Sequence, residues 1–189
     1  AERIADTTRS ATAMNDIPQA ASGPDAPPAI AIRAATRADV PAILAFIREL
    51  AEYEKLAHEA VADETGMAEH LFGPTPRAEV LIAEVDGAPA GFALFFHNFS
   101  TFLGKPGLYL EDLFVRPAFR GLGLGKRLML RLARIAVERD CGRFEWSVLD
   151  WNTPAIGFYR RLGAAGMDEW TVQRVSGDAL HALAARDDG

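Results

Sequence analysis

Apolar residues recur at two spacings along this chain, and the switches between them mark its elements. Ile30-Ala31-Ile32-Arg33 has the length and composition of a first strand. Thr36 can cap a helix, with Asp39 three residues on to favour its positive end. Val40, Ile43, Leu44, Ile47 and Leu50 then recur at helical spacing, predicting a helix that ends near Tyr53–Leu56. A second helix is expected over Asp63–Leu71, stopped by Gly73 and Pro74. Val80–Val85 and Ala90–His97 flank Asp86-Gly87 and read as a hairpin. Gly107–Val115 is a further strand, apolar on both faces except at Glu111 and Asp112, and Arg116-Pro117 ends it.

A long helix is predicted from about Leu122 to Asp140. Leu124, Leu128, Leu132 and Ile135 share one face, and Arg127, Arg131, Arg134 and Glu138 share the other. Phe144–Leu149 reads as a strand, Pro154–Leu162 as a short helix stopped by Gly163, Glu169–Val175 as a last strand and Asp178–Ala184 as a final helix. Meander strands followed by a strand–helix–strand crossover predict an α/β (α+β) fold with a mixed sheet covered by helices.

The 189 residues suit one domain, read as 30–189, preceded by a flexible tail over 1–29. That tail is rich in Ala, Ser, Thr, Asp and Pro and has no sustained periodicity, and it lacks the apolar run of a signal peptide. No apolar run approaches the ~20 residues of a membrane helix. A net charge of −6 argues against nucleic acid and for a cationic partner, although mild acidity also serves solubility alone. The single cysteine, Cys141, cannot form an intrachain disulfide, which suggests a reducing, cytoplasmic setting. His58, His70, His97 and His181 have no metal-ligand spacing among themselves or with Cys141, so no metal is expected.

The most informative segment is Arg116-Pro117-Ala118-Phe119-Arg120-Gly121-Leu122-Gly123-Leu124-Gly125-Lys126, between a strand and the long helix. Glycines at alternate positions where a helix begins leave backbone N–H groups and the helix dipole facing outward, a setting for a diphosphate. Arg120 adds a positive charge beside it. The dinucleotide fingerprint would need Gly at 126, where Lys126 stands. The Walker pattern would need Gly at 120 and Ser or Thr at 127, where Arg120 and Arg127 stand. A glycine-rich turn that binds nothing is the competing reading, disfavoured by the Arg and by the flanking strand and helix.

Two carboxylates and a tyrosine carry candidate proton chemistry. Glu111 and Asp112 sit mid-strand in Leu108–Val115. Adjacent strand residues face opposite sides, so the two share no role unless a bulge intervenes. Glu111 is favoured as functional and Asp112 as a solvated strand residue. Phe158 and Tyr159 are adjacent on the short helix, and each reads equally well as a core aromatic.

Arg120-Gly121-Leu122-Gly123-Leu124-Gly125 resembles the Q/R-x-x-G-x-G/A motif of the GNAT acetyltransferases, and Asn152 through Ala164 resembles their N-x-x-A/S-x-x-x-Y-x-x-x-G-A stretch. The resemblance implies the GNAT fold, with a mixed, mostly antiparallel sheet, and acetyl-CoA as cosubstrate. It implies that residues Arg120 to Lys126 (Arg120, Gly121, Leu122, Gly123, Leu124, Gly125, Lys126) cradle the pyrophosphate. Main-chain groups of Leu113, Phe114 and Val115 would meet the acetyl and pantetheine arm, and Asn152, Thr153, Pro154 and Ala155 would make further cofactor contacts. Tyr159 would be the general acid toward sulfur.

Leu50–Leu56, Tyr109–Asp112 and Val148–Asn152 are similar to the diamine acetyltransferase (spermidine/spermine-type) group, especially its thialysine N-epsilon-acetyltransferase branch. The likeness runs from about Ile30 to Ala184. By it, Tyr53, Glu54 and Glu111 face the amine, with Glu111 a base acting through water. Glu145, Trp146 and Ser147 line the substrate side, and the protein is a homodimer. Polyamine-specific members carry an acid in the loop that here reads Phe99–Lys105, where Ser100 and Thr101 stand. Short amines and lysine analogues are therefore expected over spermidine and spermine. The alternatives are a protein N-terminal or lysine acetyltransferase and a non-catalytic acetyl-CoA-binding module.

Overall fold

The computed structural model describes residues 27–186. The tail predicted over 1–29 lies, but for its last three residues, outside that range. The described residues divide into two compact units, 27–144 and 145–186.

The first unit holds β1 (Ile30–Ala34), α1 (Val40–Tyr53), α2 (Glu64–Phe72), β2 (Glu79–Val85), β3 (Ala88–Ser100), β4 (Lys105–Val115) and α3 (Leu124–Glu138). The first four strands pair in chain order and antiparallel, with Ile32 opposite Ala83, Ile82 opposite Phe92 and Phe92 opposite Phe114. β5 (Phe144–Trp146) comes next in the sheet. On the approach to it, Gly142 N–H donates to Pro106 O at 2.8 Å and Arg143 O accepts from Leu108 N–H at 3.0 Å. These two bonds advance in one direction along both segments, so the sheet is mixed.

Local chemistry fixes the start of the domain. The Thr36 N–H and hydroxyl donate to the Asp39 carboxylate at 2.7 and 3.0 Å. Arg33 donates to both Asp39 oxygens at 2.8 Å and to Glu84 at 2.8 Å, tying β1 to β2 and to the entry of α1. The Arg33 guanidinium holds the Asp39 carboxyl well below the usual range. A short 3-10 turn over Arg37–Asp39 separates this cap from α1.

The core on the α1 side gathers Ile43, Phe46, Leu71, Val80, Ile82, Phe92 and Phe114. Phe46 is fully buried, stacks on Phe92 at 5.4 Å and meets Phe114 at 6.4 Å. On α3 the predicted stripe Leu124, Leu128, Leu132 and Ile135 is buried. That helix packs on β1 through β4.

In the second unit, α4 (Thr153–Arg161) and α5 (Gly177–Ala184) are the helices. The Asn152 side chain caps α4 by accepting from Ala155 N–H at 3.3 Å. Gly163, at φ 94, stops it: Gly163 N–H reaches Arg160 O and Ala164 N–H reaches Tyr159 O.

Two expectations need correction. The strand read over Glu169–Val175 does not form: these residues belong to no strand. Alternation supplies a pleated surface but not the neighbouring edge that a ladder requires. The strand read over Phe144–Leu149 ends at Trp146.

Replacing Phe46 with Ala removes the ring that three aromatic and cationic groups contact, including Arg116 at 4.5 Å. The expected loss is about 3–5 kcal/mol of stability, read as a lower denaturant midpoint.

Candidate active site

In the first unit the glycine segment forms an open cradle. Gly121 and Gly123 have φ of 85° and 77°, which L side chains rarely adopt, and a Cβ at either would meet nothing within 4 Å. Glycine is therefore required here by backbone conformation, and the surface above it is free. Gly123 is the N-cap of the fifteen-residue α3, with no side-chain cap. The N–H groups of Leu124, Gly125 and Lys126 lie in the first turn, where an α-helix offers them no carbonyl partner. Such a helix end, with exposed Lys126 and Arg120 near it, fits a diphosphate. Leu124 turns its side chain into the core, whereas Leu122 is exposed.

β4 leads into this cradle. Phe114 is spent on the core, so only its main chain can serve a ligand; Leu113 and Val115 are partly buried. Arg120 Nε donates to Val115 O at 3.2 Å, and its guanidinium lies 5.3 Å from the centre of the Tyr53 ring. One arginine thus spans the end of β4 and the end of α1.

The end of α1 is itself held in an unusual way. Lys55 N–H bonds Glu52 O and Leu56 N–H bonds Ala51 O, with Lys55 at φ 63 where glycine is the ordinary occupant. This turn follows directly on Tyr53, the last residue of α1, and on Glu54, its C-cap. Glu54 is half-buried, and that burial pushes its carboxyl up.

β4 also contains the irregularity on which the carboxylates depend. Leu94 pairs with Asp112 but Phe95 pairs with Leu110, so Glu111 is an extra residue in the strand. Without it, Leu110, Asp112 and Phe114 would share a face. With it, Leu110 takes the side of Phe95, and Asp112 joins Leu94 and Phe114 on the side covered by α1. Burial, then the negative charges of Glu111 and Glu54, push the Asp112 carboxyl up to about 6. Asp112 is therefore not the solvated strand residue that alternation predicts. A bulge leaves no mark in the residue pattern, so only the register reveals it. Glu111 is exposed.

The remaining expected residues lie in the second unit. Trp146 and Tyr159 rings are 5.0 Å apart, and Phe158 and Tyr159 rings 5.2 Å. Tyr159 is half-buried, as are Glu145 and Trp146, while Ser147 is exposed. Asn152 is buried as the cap of α4; Thr153 and Pro154 are exposed in its first turn and Ala155 half-buried.

Residues 45–164 match the family described as Acetyltransferase (GNAT) family, and the chain belongs to it. It is an acetyltransferase, similar over most of its length to small-amine enzymes. L-ornithine N5-acetyltransferase NATA1 of Arabidopsis thaliana is 36% identical over 80% of this chain and 86% of its own. Thialysine N-epsilon-acetyltransferase of Bos taurus is 36% identical over 83% of this chain and 98% of its own. The solved structure of an integron cassette protein from the mobile metagenome of V. cholerae superposes with a TM-score of 0.71 at 28% identity, covering 83% of this chain and 98% of that one.

Gly123→Ala forces a Cβ onto a left-handed backbone and so disturbs the turn that shapes the cradle. Its expected effect is a rise of about 10-fold or more in the KM for the acetyl donor, from about 1–2 kcal/mol of strain, with the acceptor KM little changed. Steady-state kinetics with each substrate varied in turn checks this.

Proposed function

We propose that this protein transfers the acetyl group of acetyl-CoA directly to a primary amine of a small cationic substrate, a lysine analogue such as thialysine, ornithine or a short diamine. The observation that carries this reading is the open glycine cradle on the end of α3, reached along a β4 that presents carboxylates beside the end of α1. The identity to ornithine and thialysine acetyltransferases supports the choice of amine.

Acetyl-CoA supplies an activated acyl carbon. First-turn N–H groups of α3, with Arg120 and Lys126, hold its diphosphate, and Asn152 through Ala155 add contacts from the start of α4. Backbone groups of Leu113, Phe114 and Val115 align the acyl arm, and a main-chain N–H stabilises the oxygen on which charge gathers. An amine with pKa ~10 is protonated at neutral pH and cannot attack. Glu111, through a water molecule, takes the proton that must leave. The Tyr159 hydroxyl returns a proton to the departing sulfur, so neither a free ammonium nor a bare thiolate is left. Tyr53, Glu54, Glu145, Trp146 and Ser147 line the amine side.

The hairpin loop fits a short substrate. Ser100 is buried and its hydroxyl accepts from Leu103 N–H at 3.3 Å, which engages it in the turn. Phe99–Lys105 contains no carboxylate, so a second or third charge of a long polyamine gains no partner from this loop.

The functional unit is a homodimer in this reading. Trp170, Val172 and Val175 lie along a segment that joins no strand and are at least half exposed, which suits apolar contact with a second copy. The single cysteine supports a reducing, cytoplasmic setting. No described helix is long and apolar enough to cross a membrane.

Free-thiol release with acetyl-CoA and a panel of thialysine, lysine, ornithine, short diamines, spermidine and spermine tests the reaction. Turnover should favour the short amines; preference for spermine would overturn the specificity. Tyr159→Phe should keep acetyl-CoA binding and lose on the order of 10²-fold or more in kcat; equal turnover would remove Tyr159 from the mechanism. Sedimentation should give twice the chain mass, and a monomer would refute the dimer.

A further inference from the structure

Tyr159, the proton donor of the reaction above, sits late in α4, a helix whose ends are fixed by the Asn152 cap and the Gly163 stop. The helix backbone sets where the Tyr159 Cα lies but not where its ring points, because an aromatic side chain on a helix still has two χ1 positions open to it. Its neighbours on the same helix face do little to choose between them. Ala155, four residues before, offers one methyl group, and Gly163, four residues after, offers none. The Phe158 ring lies 5.2 Å from that of Tyr159, but it belongs to the adjacent residue of the same helix and moves with it. Trp146 is different. It is the last residue of β5, so another element sets its position, and its ring lies 5.0 Å from the Tyr159 ring at an angle of 54°. A tilted pair at this separation has a defined orientation as well as buried area. All three rings are half-buried, and all belong to the second unit.

We propose that Trp146 is the positioning residue of the acid: its ring holds the Tyr159 side chain in the orientation from which the hydroxyl reaches the departing sulfur. This rests on the acetyl-transfer reading above and deepens it. In that step the carbon–sulfur bond breaks, the proton passes from the Tyr159 oxygen to sulfur, and the phenolate regains a proton from solvent. Trp146 takes no part in the bond changes. It raises the fraction of time the hydroxyl is in place, and an aromatic contact of this kind is strong enough to shift a two-rotamer population by up to about 10-fold. Lining the amine side would act on acceptor affinity instead.

Trp146→Leu removes the ring and Trp146→Phe keeps one. With acetyl-CoA and thialysine, Trp146→Leu should lower kcat about 10-fold while both KM values stay within about 2-fold of wild type. Trp146→Phe should recover kcat to within about 3-fold of wild type. The deciding measurement is the double variant. If Trp146 acts through Tyr159, its loss costs nothing once the hydroxyl is gone. Trp146→Leu combined with Tyr159→Phe should then turn over within about 2-fold of Tyr159→Phe alone. A ring that only supports the fold would slow both backgrounds alike. If Trp146→Leu lacks a cooperative unfolding transition in denaturant, Trp146→Met, which fills space without a ring, takes its place in the cycle.

An unchanged kcat in Trp146→Leu would overturn the inference, and a rise in the thialysine KM alone would return Trp146 to the amine side. A Trp146→Phe variant as slow as Trp146→Leu would overturn it too, as would a double variant about 10-fold below Tyr159→Phe. Each of these leaves the acetyl-transfer reading standing. A Tyr159→Phe variant as fast as wild type, or a wild type that releases no thiol with any amine of the panel, would overturn that reading first, and this inference with it.

Discussion

Arg116 is the point at which the first unit is held together. It follows the last residue of β4 and precedes the turn into the cradle. Its guanidinium donates to Glu49 at 3.0 and 2.8 Å and to Pro89 O at 3.0 Å, and lies 4.5 Å from the centre of the Phe46 ring. Its backbone N–H reaches Ala90 O at 3.0 Å. One side chain thereby links α1, the start of β3 and the end of β4. A lysine could supply the charge but not the planar fork or the stacked face. The half-buried ion pair alone would add little. Its value lies in registering α1, whose last turn carries Tyr53 and Glu54, against the strand that carries the carboxylates.

The second constraint is the extra residue in β4. A regular antiparallel strand of this composition would be stable and would scatter its two carboxylates to opposite faces. The bulge sacrifices regular pairing at Glu111 and in return puts Asp112 on the face of Leu94 and Phe114, which α1 covers. Burial there, and after it the negative charges of Glu111 and Glu54, raise the Asp112 carboxyl toward neutrality. The family to which the chain belongs transfers acetyl groups, and the relatives named for ornithine and thialysine are acetyltransferases of amines.

The cradle follows a different logic. It needs no charged cluster, only backbone. Gly121 and Gly123 turn the chain through a left-handed conformation and leave open space above it, while α3 supplies aligned N–H groups. α3 is anchored by the apolar stripe from Leu124 to Ile135, so its glycine-rich N-terminal end is held in place by the burial of that face.

Much of this was legible in residue order. The stripe of α3, the cap and stop of α4 at Asn152 and Gly163, the hairpin at Asp86-Gly87 and the glycine cradle are all local, and local sequence determines them because each needs only neighbours within a few positions. The family motif was readable for the same reason. What the tertiary structure alone decided is whatever depends on a partner distant in sequence. The segment Glu169–Val175 has the composition of a strand yet pairs with no other strand. Arg116 looks like a strand terminator until Glu49 and Phe46 are brought beneath it. Asp112 reads as a solvated residue until the register of β3 against β4 shows the extra residue beside it. Alternation in a sequence gives the period of a strand but not its phase after a bulge, and the phase decides which carboxylates meet.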